Sequence, residues 1–149
     1  MDNLQNNTSG TPSPEKSLVT LRIIWAALLF GELLLMAVMF LQVLPKQATI
    51  ANPQPVFSWV SLGMLVTIVP AAFLLRTLFF SRARQSNPIK TGMIVTGSII
   101  FWAGCEVVGY FAIVAMMLNG SAMPTILYAA VAMSCQLATF PRSADLFAQ

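Results

Sequence analysis

The sequence predicts an all-α fold: a polytopic membrane protein built as a bundle of four transmembrane helices. Three observations predict it. First, 57% of the 149 residues are hydrophobic and only 9% are charged, where an ordinary soluble domain carries about 25% charged residues. Mean hydropathy is +0.77, too apolar for a water-facing surface. Second, four apolar runs are each near or above the roughly 20 residues that cross a bilayer as a helix. Third, the runs do not alternate with period two. Helices and closed barrels are the two structures that satisfy every backbone group in lipid, so the lack of alternation leaves helices. The length argues for one domain.

Residues 1–17, MDNLQNNTSGTPSPEKS, are too polar to bury a core and are expected to form a flexible cytoplasmic tail. Their Lys16 is balanced by Asp2 and Glu15, which argues against a signal-peptide n-region. The spans then follow over 18–44, 56–80, 91–118 and 122–140, and 142–149 form a short second tail. Turn signals separate the spans. LPKQATIANPQP (44–55) carries three prolines, SRARQSNP (81–88) is short and basic, and NGSAMP (119–124) is a tight turn that makes spans three and four an antiparallel hairpin. In span two, Thr67 and Pro70 are placed for a tolerated kink.

The basic residues set the expected orientation. Lys16, Arg22, Arg76, Arg82, Arg84, Lys90 and Arg142 fall on one side and only Lys46 on the other. The positive-inside rule then puts both termini and the 81–90 loop in the cytoplasm, which supports an even number of spans. The net charge of +3 is scattered along the span flanks, so no nucleic-acid partner is expected. The expected partners are the lipid bilayer, further copies of this chain, or subunits of a membrane complex.

Several chemistries are excluded at the outset. The chain has no histidine, which removes imidazole-ligated haem, His-based zinc and His-dependent triads. Cys105 and Cys135 form no CxxC pattern and are expected to be small apolar contacts rather than a disulfide. Phosphate loops, nucleophile elbows and HExxH are absent. No enzyme activity, metal or cofactor is expected.

What remains is two carboxylates within the spans, Glu32 and Glu106. A charge at mid-bilayer costs about 2.5–3.5 kcal/mol on insertion scales, so such residues are functional candidates by default. Both are expected to be protonated unless paired or hydrated. On a helix, Glu106 shares its face with Trp102, Ala103, Gly109 and Tyr110. Trp102 and Tyr110 can each donate a hydrogen bond to a carboxylate. Gln136, on the fourth span, is the best internal candidate for a partner to Glu106. Gly97, Gly104 and Gly109 offer close helix contact, and Ala27 with Gly31 forms a second small-residue seam beside Glu32. Glu32 has no polar companion on its own face and is expected to make a structural or subunit contact. Arg76 is expected to be a snorkelling anchor.

Residues 81–118 carry a resemblance. ARQSNPIKTGMIV…CEVVGYFAIVAMML resembles the polar loop and carboxylate-bearing helix of the c subunit, or proteolipid, of rotary ATP synthases. Arg84-Gln85 with Pro88 stands where that family has its basic-Gln-Pro loop, Glu106 stands at the carboxylate, and Tyr110–Val114 begin the following run. Here Ser86-Asn87 separates Gln85 from Pro88, and two-span members have no counterpart of spans one and four. The resemblance implies a proton or sodium site at Glu106. Two functions are therefore expected in competition: ion handling through an intramembrane carboxylate, or a non-catalytic scaffold whose glutamates make interhelical contacts.

Overall fold

The computed structural model describes residues 14–43, 55–86, 90–119 and 121–143. The first thirteen residues of the N-terminal tail, the loop carrying Lys46, Pro88 and residues 144–149 lie outside the described residues. The described residues form four α-helices, α1 (Pro14–Val38), α2 (Pro55–Gln85), α3 (Thr91–Asn119) and α4 (Thr125–Ala138), with a π-helical turn Met39–Val43 continuing α1. Among the described residues there is no strand.

The helix ends follow local chemistry. Proline opens α1 and α2, where its missing N–H has no intrahelical partner to lose and its φ is already helical. Glu15 adds a favourable charge in the first turn of α1. The helix therefore starts four residues inside the stretch expected to be a polar tail. Arg82 and Arg84 lie in the last turn of α2, opposite the negative end of its dipole, and the helix extends past residue 80. It runs through Pro70 without a break, and the Thr67 hydroxyl donates to the Gly63 carbonyl at 2.7 Å.

Among the described residues three helices are long and apolar enough to cross a membrane, not the four expected. The exception is α4, with 14 residues. Proline brackets it. Pro124 sits at its N-cap, and Pro141 bars helical geometry at Phe140, so the last turn closes at Ala138. Neither end can extend into the flanking apolar residues.

The bundle is built around α3, which packs against each of the other three helices. Half of its most apolar window is buried, against 11% for α1 and for α2. Phe101, Trp102, Cys105, Val108, Ala112, Ile113 and Met116 form the spine of the core. The hairpin of α2 and α3 is close: a Cβ built at Gly97 would stand 2.8 Å from Phe79 Cβ, and one at Gly104 2.9 Å from Ala72 Cβ. At the far end of this hairpin the Asn119 amide donates to the Ser58 hydroxyl at 2.8 Å. Most large exposed side chains are apolar, including Phe30, Leu34, Leu41, Trp59 and Val66. An apolar exterior of this extent fits a lipid-facing surface.

Candidate functional site

The site forms where α1 meets α3. The two helices run in the same direction, and each presents a glycine followed by a large polar residue: Gly31-Glu32 on α1 and Gly109-Tyr110 on α3. The glycines receive the opposite side chains. A Cβ at Gly109 would overlap Glu32 Oε1, and a Cβ at Gly31 would stand 2.7 Å from the Tyr110 hydroxyl. Each side chain thus fills the notch left by the other helix's glycine, a reciprocal packing that fixes the register of α1 on α3.

Glu32 is fully buried, and neither of its carboxyl oxygens has a hydrogen-bond partner among the described residues. Glu106 is half-buried on α3, one turn before Tyr110. Glu106 stands three residues before Gly109 and four before Tyr110, so it shares the face of α3 that receives Glu32. The cluster therefore holds one buried and one partly exposed carboxyl, with a phenol against both helices.

Three expected contacts are corrected. Trp102 does not serve Glu106: its indole N–H donates to the Thr139 hydroxyl at 3.1 Å, at the end of α4. The antiparallel pairing of α3 and α4 sets Thr139 beside Trp102 and leaves Glu106 a turn away. Gln136 makes no hydrogen bond to Glu106 among the described residues. Its side chain is buried with neither amide atom bonded, while its backbone carbonyl accepts the Trp25 indole N–H at 3.0 Å. Ala27 is exposed, so the seam beside Glu32 runs through Gly31 without it. The contact stripe of α1 runs through Leu21, Trp25, Leu28 and Glu32, and Ala27 lies to one side of it.

Cys105 is buried, Cys135 is partly buried, and both are free thiols. Among the described residues no group of three or more His, Cys, Asp or Glu side chains could hold a metal ion. The residue that sequence reasoning undervalued is Glu32. Its signal was present in the two Gly-polar dipeptides, each placed well inside a helix of the same direction. The functional role of Thr139 as an indole acceptor carried no signal of its own. No protein-family model, no curated protein and no solved structure matches this chain.

Proposed function

We propose that this is an integral membrane protein that handles protons or small cations through the pair Glu32 and Glu106, with Tyr110 between them. The observation that carries the reading is Glu32: a carboxyl sealed inside an apolar bundle, without a hydrogen-bond partner among the described residues, beside a second carboxyl. An unsatisfied buried polar group is costly, and its retention calls for a function. The pair reaches neutrality by sharing one proton and losing the other charge to a cation or a second proton. Glu106, at the partly exposed edge, is the exchange point. Tyr110 can pass a proton inward, since a phenol both donates and accepts. The likeness of 81–118 to the proteolipid helix points to the same chemistry.

The test is flux in liposomes. Purified protein is reconstituted with a pH dye inside, and a potassium diffusion potential drives proton entry; a sodium gradient forms the second arm. The expected result is protein-dependent flux that Glu106→Gln abolishes, Glu32→Gln abolishes or strongly reduces, and Tyr110→Phe slows. Wild-type flux no greater than that of empty liposomes for either ion, or flux unchanged by both Gln variants, would overturn the reading.

A second reading has one observation in its favour. The Glu32 carboxyl fits the Gly109 notch as a packing element, which suits a scaffold or accessory subunit. Under that reading Glu32→Gln lowers thermal stability, no flux is ever seen, and Glu106→Gln is silent.

A further inference from the structure

We infer that Gln136 completes the Glu32 site, and that the completed site binds a proton and water, not a metal cation. The inference rests on the ion handling proposed above and names its ion. Among the described residues, Glu32 and Gln136 are the two largest polar side chains that are fully buried, each 0% exposed. Their polar atoms are Glu32 Oε1 and Oε2 and Gln136 Oε1 and Nε2. None of these has a hydrogen-bond partner among the described residues. The fully buried hydroxyls are served locally. Ser61 donates to the Phe57 carbonyl at 2.8 Å, and Thr125 to the Ala122 carbonyl at 3.2 Å. Unpaired buried polar atoms are rare in folded proteins, so two such groups in one bundle call for a shared explanation.

The helix registers bring the two groups to one place. The bond from the Trp102 indole to Thr139 sets the antiparallel register of α4 on α3. Position 136 then stands opposite Cys105, and position 132 opposite Gly109. The Glu32 carboxyl lies over Gly109, about 6 Å along α3 from Cys105. Helical side chains lean towards the N-terminus of their own helix. Because α1 and α4 run in opposite directions, Gln136 leans towards the level of Gly109 and Glu32 leans back towards Gln136. Contacts of α1 give the same placement. Trp25 lies two turns before Glu32 on the same face, and its indole reaches the Gln136 carbonyl at 3.0 Å. Ala132 and Ala129, one and two turns from Gln136 towards the start of α4, are fully buried and offer only methyl groups. Gln136 is therefore the polar group that α4 presents at this level.

Hydrogen-bonding capacity identifies the occupant. A neutral carboxyl offers a donor and an acceptor, and a carboxamide offers two donors and an acceptor oxygen. Water supplies both kinds, so water held between the two groups can serve each of them. A carboxylate only accepts, and the Gln136 carbonyl would then face a second acceptor. Hard cations take about six or more oxygen ligands. Glu32 and Gln136 supply three between them, and the alanines none. The other titratable side chains on the packed helices are Cys105, Glu106 and Tyr110 of α3, Cys135 and Tyr128 of α4, and Glu15, Lys16 and Arg22 near the start of α1. Arg22, the nearest cation on α1, is ten residues or about 15 Å from Glu32 along the helix. A proton is thus what neutralises Glu32.

Infrared difference spectroscopy of the full chain in liposomes reads the proton directly. The C=O band of protonated Glu32 is the one that Glu32→Gln removes. It is expected to persist when sodium replaces potassium in the buffer. Gln136→Met keeps the side-chain length and removes the amide, and should move the band to higher wavenumber as hydrogen bonding is lost. Gln136→Asn withdraws the amide by one methylene and should move it the same way by less. Thermal unfolding in detergent checks that each variant is folded, so the second serves if the first is not. In the flux assay, proton entry should slow in Gln136→Met and sodium entry should be absent in the wild type. A band that neither Gln136 variant moves would overturn the pairing. No band removed by Glu32→Gln, loss of the band in sodium, or sodium flux without proton flux would overturn the proton assignment. Absence of all flux with the band still moved would overturn the ion-handling reading and leave the pair in place.

Discussion

Gly109 decides where Glu32 can be. Without a side chain there, α1 approaches α3 closely enough for the carboxyl to sit over the helix backbone; a methyl group would occupy the space of Glu32 Oε1. Gly109→Ala is therefore expected to destabilise the protein by about 1–3 kcal/mol, the usual cost of overpacking a tight contact. The cost should fall on Glu32 specifically. Adding Glu32→Ala should recover part of it, with a coupling of about 0.5–3 kcal/mol in a double-mutant cycle read by thermal unfolding in detergent. Strict additivity would mean that the two residues do not touch. This contact also shows what the sequence could tell at this scale. Glu106 and Tyr110 are four apart on one helix, so their proximity follows from helical periodicity. Glu32 lies 74 residues from Glu106, and only the pairing of α1 with α3 brings them together. The same pairing leaves Ala27 exposed although it is four residues from Gly31. Small-residue spacing indicates that a helix can be approached, not which turn is.

The fourth helix owes its position to contacts past its own end. Trp25 donates to the Gln136 carbonyl, Trp102 to the Thr139 hydroxyl and Arg22 to the Pro141 carbonyl. Phe140 closes the group, edge-on to Trp25 at 4.9 Å and beneath Arg22 at 5.5 Å. Side chains of α1 thus satisfy carbonyls at and beyond the end of α4, and Trp102 of α3 holds the Thr139 hydroxyl. Trp102→Phe and Thr139→Val are each expected to cost about 0.5–1.5 kcal/mol, the net value of one hydrogen bond. Made together they should cost less than the sum. A fully additive pair, measured by the same unfolding assay, would remove the indole–hydroxyl bond from the account. Hydropathy could locate this segment but not its helical length. Apolarity runs on through Phe140, whereas the backbone restriction imposed by Pro141 ends the helix earlier. The long spans were more legible, because their turn signals lie beyond the apolar run and not inside it.

At the scale of the whole molecule, the proposed membrane insertion raises the question of whether α4 would cross together with the three long apolar helices. Its 14 residues rise about 21 Å, short of a roughly 30 Å core. Thr139–Arg142 continue as non-helical chain, which covers up to about 3.3 Å per residue. That is enough to bring Arg142 to the level of Arg22, which reaches the neighbouring Pro141 carbonyl. Irregular backbone at such a depth is tolerated when protein covers it, and Pro141 is buried while its carbonyl receives Arg22. The distribution of charge agrees: a crossing α4 puts Arg142 on the same side as Arg82, Arg84 and Lys90, as the positive-inside rule prefers. Single cysteines test this directly in a chain carrying Cys105→Ala and Cys135→Ser. With a membrane-impermeant maleimide on oriented vesicles, Ser86→Cys and Ser143→Cys should label from one face and Ser121→Cys from the other. The face that labels the first two should be cytoplasmic. If Ser143→Cys instead labels together with Ser121→Cys, α4 folds back without crossing. The bundle would then have three spans, and the aromatic group around Phe140 would be a re-entrant plug beside the carboxyl pair.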